Sequence, residues 1–344
     1  MRDSLSSLTR LAGLAASALA IAMPGTAFAQ SCVSENVYDR LKTEDPALYA
    51  EIAAEAAATP NTESLFWRIE AEGVAPSYLF GTLHVADERV LDLPAPVENA
   101  FETIDTLAVE VVNADDPQLL GQLMASNPGL LVALDGTTIT SRLEANEAAA
   151  LENALAARGV PLASIEPLQP WIVTTMLATS ACEFALQAGG ATPLDGVLEK
   201  RALNTGKTVI GLETMQDQLE AITGISEEFF VASLADLAEL SAQGDLDALQ
   251  DTITALYLSG DIGVVLPLTV AFSAESAAID GEMAEFEEKL ITVRNEGMAE
   301  SAAPLIDKGN AFIAVGALHL PGETGLVRHF RERGYTVTPI PIPR

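Results

Sequence analysis

Histidine, cysteine and positive charge are scarce in this chain. Its 344 residues include three His and two Cys, and 18 Lys and Arg face 49 Asp and Glu, which gives a formal net charge of −31. A protein with this charge repels phosphate backbones, so we expect no nucleic-acid partner. Long apolar runs are also missing. None reaches the roughly 20 residues that span a bilayer, so we expect no stable membrane insertion.

Common catalytic signatures are absent as well. The sequence has no His-Glu-x-x-His pair, no Gly-x-Ser-x-Gly elbow, no phosphate loop and no Gly-x-Gly-x-x-Gly turn. No standard motif therefore competes with the histidine pattern described below.

The first 29 residues have the pattern of a secretory signal peptide. Arg2 and Arg10 supply positive charge, residues 11–23 are apolar, and Ala27-Phe28-Ala29 matches the small-residue pattern of a cleavage site. We expect cleavage after Ala29 and a periplasmic or secreted protein. Residues 30–344 are long enough for one large domain or two modest ones.

The two cysteines, Cys32 and Cys182, both fall in this mature region. In an oxidising compartment, an isolated pair far apart in sequence is typical of a structural disulfide. Metal binding by this pair is disfavoured, because the spacing has no Cys-x-x-Cys character.

Strand-like and helix-like patterns alternate along the mature chain. Helical patterns cover residues 34–58, 96–104, most of 117–203, a long stretch at about 215–308, and 323–333. Strand patterns cover 64–70, 77–81, 106–112, 207–213, 311–316 and 335–340, with a hairpin at Gly73. This alternation predicts an α/β fold, with a central mixed β-sheet, flanking helices and a large helical insertion at about 215–308.

Two of the three histidines share one frame. Gly81-Thr82-Leu83-His84 and Gly316-Ala317-Leu318-His319 each follow a short apolar run. The glycine permits a sharp bend, a positive φ or a close backbone approach at the strand end. A histidine that merely caps a strand and bonds to a carbonyl is the competing interpretation. The third, His329, lies between arginines and is expected to be a solvated helix residue.

Four predicted strands end at or near a candidate ligand: His84, Glu110, Glu213 and His319. Ligands collect at the carboxyl ends of strands in open α/β sheets, so these residues can converge. Two imidazoles and two carboxylates suit Zn, Mn, Co or Fe. Glu110 interrupts an apolar run and needs a metal, a cation or a raised pKa. Glu213 alternatively caps the helix that starts at Thr214.

Arg294 lies on a predicted helix before the second Gly-x-x-His frame. Its guanidinium is suited to orienting a carboxylate or to stabilising developing negative charge. Spacing alone favours a simpler interpretation, a surface salt bridge.

Five ordered motifs resemble the TraB/GumN family, which includes the Tiki proteins of animals. They are Trp67 with Ser77 to His84, Leu107 to Glu110, Gly211 to Thr214, Val293 to Asn295, and Val315 to Gly322. The resemblance implies an α/β fold related to erythromycin esterases and to a haem-binding lipoprotein. It also implies a metal site built from the Gly-x-x-His units and glutamates. Tiki members are described as metal-dependent proteases that use Mn or Co, whereas the TraB and PrgY members are linked to shutting down a peptide pheromone.

The leading hypothesis is therefore a periplasmic metal-dependent hydrolase, most simply a peptidase, with a peptide or small-molecule substrate. His84, His319, and Glu110, Glu213 or both hold a divalent Mn, Co or Zn ion. A remaining carboxylate acts as general base, and Arg294 stabilises the oxyanion. The alternative is a non-catalytic periplasmic binding protein for a peptide, glycan or haem.

The signal-peptide hypothesis predicts the mature terminus. Expressed in an export-competent bacterium, the chain should yield a protein that begins at Gln30, measured by intact mass and N-terminal sequencing. Ala29→Arg places a large charged residue in a position that requires a small one, so this variant should retain its first 29 residues. Efficient cleavage of Ala29→Arg at the same bond would contradict the assignment.

Overall fold

The computed structural model describes residues 32–114, 116–273 and 284–342. The signal peptide and its cleavage site lie outside the described residues and remain predictions. The helices are α1 (Val37–Glu44), α2 (Pro46–Ala58), α3 (Glu88–Leu91), α4 (Ala95–Thr103), α5 (Pro117–Ser126), α6 (Ala145–Ala157), α7 (Leu162–Ile165), α8 (Pro170–Leu177), α9 (Ala181–Ala188), α10 (Leu194–Asn204), α11 (Met215–Thr223), α12 (Glu227–Gln243), α13 (Asp245–Ser259), α14 (Val265–Ser273), α15 (Val293–Lys308) and α16 (Leu326–Glu332). The strands are β1 (Phe66–Glu70), β2 (Ser77–Thr82), β3 (Thr106–Val109), β4 (Thr208–Gly211), β5 (Ala311–Gly316) and β6 (Thr336–Pro339).

The six strands form one mixed sheet in the order β4-β3-β5-β2-β1-β6. Strands β4, β3, β5 and β2 are mutually parallel. β1 pairs antiparallel with β2 through the hairpin at Gly73, whose φ is +78°, and antiparallel with β6 on its other side. The predicted α/β class with a mixed sheet is confirmed.

Both faces of the sheet are buried. Successive strand residues point to opposite faces, so Phe66, Phe80 and Phe312 join one apolar core, and Trp67 and Ile313 join the other. A sheet covered on both sides reads as continuous apolar runs, and β5 is buried at every position. This burial holds the strand ends at fixed positions, which is what a site built on them requires.

The predicted helical insertion corresponds to the connection from β4 to β5. Its described part includes α11 to α15, one 3₁₀ turn at Ile262–Val264 and a π-helical segment, Glu288–Thr292, that leads into α15. Within this described part of the connection, no strand occurs.

Two predicted strands are longer than the observed ones. The sequence predicts a strand that ends at Val112, but β3 ends at Val109. It also predicts a strand that ends at Glu213, but β4 ends at Gly211. The chain bends at Glu110, whose carboxylate accepts hydrogen bonds from the Gly316 N–H and from Arg294.

Cys32 and Cys182 form a disulfide with a Cα–Cα separation of 5.7 Å, which confirms the expected pairing. It ties the segment before α1 to α9. Polar contacts reinforce this junction: the Cys32 N–H donates to Asp87 (3.0 Å), and the Ala86 N–H donates to Glu183, the neighbour of Cys182 (2.6 Å).

None of the helices in the described ranges has the length and apolar character that would let it cross a membrane.

The disulfide should stabilise the fold through the loop it closes. Cys32 and Cys182 are 150 residues apart in sequence, and loss of a native bridge of this kind costs about 2–5 kcal/mol of unfolding free energy. We expect Cys32→Ala/Cys182→Ala to show that loss in urea unfolding followed by circular dichroism. Dithiothreitol should destabilise the native protein similarly and leave the double variant unchanged. Equal stability of oxidised and reduced protein would contradict this.

Candidate active site

The structure brings the five candidate residues into one cluster. His84, Glu110, Glu213 and His319 follow the carboxyl ends of β2, β3, β4 and β5, which are parallel neighbours. Arg294, near the start of α15, reaches into the same place. The convergence expected from strand topology is therefore present, and it involves residues up to 235 positions apart.

Arg294 is the centre of the cluster. Its guanidinium donates to both oxygens of Glu213 (2.6 and 2.9 Å) and to Glu110 Oε2 (2.6 Å). Its Nη1 lies 3.3 Å from His319 Nε2. The side chains of Arg294, Glu213 and Glu110 are 13%, 7% and 10% exposed. Arg294 therefore forms buried ion pairs, not a surface salt bridge. Glu213 does not cap the next helix: the Thr214 side chain performs that role by accepting from the Asp217 N–H.

The two imidazoles face one carboxylate oxygen. His84 Nε2 and His319 Nε2 lie 3.8 and 4.0 Å from Glu110 Oε1. That oxygen also accepts the Gly316 N–H at 2.6 Å. Glu110 Oε2 accepts from Gln218 at 3.2 Å in addition to Arg294. Every oxygen of Glu110 and Glu213 is thus engaged, and neither glutamate is a free general base in this arrangement.

The other ring nitrogens have different partners. His84 Nδ1 donates to Asp195 Oδ2 (2.7 Å), and His319 Nδ1 lies 2.8 Å from Asn295 Oδ1. Asn295 Nδ2 donates to the Thr324 carbonyl at 2.8 Å, so its Oδ1 faces the ring and accepts from it. One ring is bound to a carboxylate and the other to a neutral amide.

These partners separate the pKa values of the rings. The charge of Asp195, together with its hydrogen bond to the ring, raises the pKa of His84 to about 9. Burial lowers the pKa of His319 to about 4, and Glu110 offsets this only in part. The His84 side chain remains 61% exposed whereas that of His319 is 5% exposed, so the same motif places its histidine in two different environments.

Glu110 is held ionised. Burial alone would raise its pKa, but the charges of His319, His84 and Arg294 and the Gly316 N–H lower the pKa to about 2. The sequence-based requirement for a metal, a cation or a raised pKa is met by a cation, the Arg294 guanidinium.

The two motif glycines serve close approach. Neither Gly81 nor Gly316 has a positive φ, so that part of the expectation was wrong. A Cβ at Gly316 would lie 3.2 Å from Glu110 Oε1 and 3.3 Å from His84 Nε2, and one at Gly81 would lie 3.0 Å from the Ala317 backbone. Glycine is needed at position 316 because Glu110 Oε1 and His84 Nε2 crowd the space where a Cβ would lie.

The donor set fits a borderline divalent cation, but the spacing is wide. In the parts of the chain that the structure describes, no group of three or more His, Cys, Asp or Glu side chains has the geometry of a metal site. Ligands about 2.1 Å from one tetrahedral ion lie about 3.4 Å apart. The 3.8 and 4.0 Å pairs exceed that separation by roughly 0.5 Å. Binding thus requires a small inward movement of the rings.

A cavity of about 530 Å³ opens beside the cluster. His84, Glu110 and Asp195 line it, together with residues such as Glu199, Lys200 and Gln218. Its size falls in the range of small-molecule and side-chain pockets.

Asp195 and Gln218 are site residues that sequence reasoning missed, and Asn295 was noted only as the neighbour of Arg294. Asp195 lies in the first turn of α10 after the break at Pro193, a position that many helices fill with Asp for capping alone. No periodicity distinguishes it. His329 is half-buried, with an Nε2 that has no hydrogen-bond partner, so its description as a solvated residue was inaccurate.

The protein is thus an α/β protein with a mixed sheet, two Gly-x-x-His strand ends and a buried Arg–Glu cluster at the carboxyl ends of its parallel strands. The model of the TraB/PrgY/gumN family matches residues 65–339, and the chain belongs to this family. It is 25% identical to metalloprotease TIKI2 of Danio rerio, over 81% of this chain and 61% of that protein. It is also 25% identical to a metalloprotease TIKI homolog of Amphimedon queenslandica, over 81% of this chain and 62% of that protein. The chain therefore spans less than two thirds of these relatives. No solved structure matches it.

Arg294→Gln should destabilise the fold strongly. Removing one partner of a buried ion pair leaves uncompensated charge and costs about 3–5 kcal/mol. Arg68→Gln, which breaks an exposed pair with Glu70, is the matched control and should cost less than about 1 kcal/mol. Urea unfolding at pH 7 measures both.

The loss of unfolding free energy in Arg294→Gln should depend on pH. Because the folded pKa of Glu110 is near 2 and its ordinary value is 4.5, its stabilising contribution is complete above the ordinary value and disappears as pH falls toward 2. The difference between wild type and Arg294→Gln should therefore narrow on acidification. A difference that is constant between pH 7 and pH 3 would contradict the pairing.

Proposed function

We propose that this protein is a metal-dependent hydrolase of peptides that acts outside the cytoplasm. The observation that carries the proposal is the pair of imidazole Nε2 atoms, from two Gly-x-x-His strand ends, that face one oxygen of Glu110 beside a cavity. The family relationship supports it, because curated relatives carry the name metalloprotease.

His84, His319 and Glu110 are the residues proposed to hold the ion, Mn, Co or Zn. They supply two nitrogens and one oxygen, a set that such metals accept. When bound, the ion would polarise a carbonyl and lower the pKa of a water molecule. The Gly316 N–H holds Glu110 Oε1 in place, and the absence of a Cβ at Gly316 leaves room beside Glu110 Oε1 and His84 Nε2.

Arg294 and Glu213 form the proposed support of this site. Both oxygens of Glu213 accept hydrogen bonds from Arg294. We therefore propose that Glu213 positions the guanidinium and does not bind the metal ion. Arg294 in turn fixes Glu110 and brings positive charge to the place where an oxyanion would develop. The cavity beside His84 is the proposed place of the substrate.

The predicted signal peptide supports a substrate outside the cytoplasm. The signal-peptide pattern in residues 1–29 and the Cys32–Cys182 disulfide both fit an oxidising compartment. We therefore propose a periplasmic or secreted location.

One observation favours a second candidate, a non-catalytic binding protein for a peptide, glycan or haem. Arg294 forms ion pairs with both glutamates without any metal ion. Each carboxylate oxygen of the pair has a hydrogen-bond donor, so the cluster is suited to act as a rigid structural element beside a cavity that serves binding alone.

Metal analysis and cleavage assays distinguish the two. Untagged mature protein should contain or take up about one Mn, Co or Zn ion per chain and should cleave a peptide library only in the presence of metal. His84→Ala and His319→Ala should each lose metal and at least about 100-fold of the activity, more than changes to outer partners cost. His329→Ala, which removes the histidine outside the cluster, is the control.

Other outcomes decide against the proposal. Cleavage that persists in His84→Ala after treatment with a chelator would overturn the metal site. Tight binding of a peptide or glycan without turnover favours the binding protein. A Soret band on haem addition that disappears in the histidine variants favours a haem role.

A further inference from the structure

Asp195 lies outside the cluster of five candidate residues and makes a short side-chain contact with it. Its Oδ2 accepts from His84 Nδ1 at 2.7 Å, and its Oδ1 accepts from the Thr82 hydroxyl at 2.6 Å. Thr82 is the last residue of β2 and is 1% exposed. The carboxylate therefore joins a fixed point on the sheet to a ring on the loop that follows it.

The position of Asp195 is itself fixed by the fold. It lies in the first turn of α10, where the helix dipole favours an anion. The N–H of Leu194, which is fully buried, donates to the Val85 carbonyl at 3.1 Å. Helix α10 is thus attached to the residue directly after His84, and the spacing between Asp195 and the ring does not depend on side-chain flexibility alone.

His84 needs such a partner more than His319 does. The His319 side chain is 5% exposed and is enclosed by the core, whereas that of His84 is 61% exposed and has few packing contacts to select a rotamer. Without Asp195, rotation about Cα–Cβ and Cβ–Cγ would turn Nε2 away from Glu110 at little cost.

We propose that Asp195 is a positioning residue that keeps a proton on His84 Nδ1, so that Nε2 is the ring nitrogen that gives up its proton when an ion binds and directs its lone pair to the point shared by His319 and Glu110. A carboxylate that only accepts hydrogen bonds requires a donor at Nδ1, which leaves Nε2 as the coordinating atom. Asn295 performs the same function for His319 through its Oδ1. The inference rests on the proposed function for its consequence, metal affinity, but its structural part stands without it.

The paucity of histidine makes the structural part directly measurable. In protein labelled with ¹⁵N-histidine, three imidazoles give all the ring signals. We expect two hydrogen-bonded Nδ1–H protons, from His84 and His319, in metal-free protein. Asp195→Ala should abolish the His84 signal and leave the His319 signal, with His84→Gln used for assignment. Glu228→Gln, which removes an exposed first-turn carboxylate from α12, should leave both signals.

The consequence is tested by Zn and Mn affinity in competition titrations. Asp195→Asn, which keeps the shape and removes the obligatory acceptor, should weaken metal binding by about 10–100-fold, and Glu228→Gln should not. Circular dichroism and urea unfolding confirm that each variant folds.

The two possible failures are distinguishable. Loss of the His84 Nδ1–H signal in Asp195→Ala, with no metal bound by any form, supports the orientation and removes the proposed function. Metal-dependent cleavage together with unchanged ring signals and unchanged metal affinity in the Asp195 variants overturns the positioning role and leaves the function in place.

Discussion

The buried contact of one arginine with two glutamates is the constraint on which the arrangement of this site depends. Glu110 and Glu213 end adjacent parallel strands, and their charges would repel each other if Arg294 did not lie between them. Arg294 comes from α15, the last helix of the long connection between β4 and β5. Folding of that connection is therefore coupled to the electrostatics of the sheet edge, because the strands alone cannot neutralise their own carboxylates.

Much of the fold and the membership of the cluster could be predicted from the sequence. Strands such as Ala311–Gly316 are recognisable because they are apolar at every position, which is typical of a sheet covered on both faces. The convergence of His84, Glu110, Glu213 and His319 follows from parallel strand topology once the strands are recognised. The end of β3 was predicted three residues late because apolar composition continues to Val112 while the backbone already turns at Glu110.

Pairing within the cluster could not be predicted. A sequence shows that Arg294, Glu110 and Glu213 are charged. Whether the carboxylates bind a guanidinium or a metal ion depends on differences of a few tenths of an ångström in the distances between these groups. The Asp195 contact was missed for a related reason, since an aspartate in the first turn of a helix is ordinary. The repeated Gly-x-x-His motif likewise suggests two equivalent histidines, whereas burial and the choice of carboxylate or amide partner make them unlike.

The disulfide has a practical consequence for any study of this cavity. Cys182 lies in α9 beside Glu183, which binds the backbone two residues after His84, and Gln187 of the same helix lines the cavity. Thiol reagents, which are routine additives in purification buffers, would loosen this wall directly. Ligand affinities measured under reducing and non-reducing conditions would then refer to two cavities of different shape.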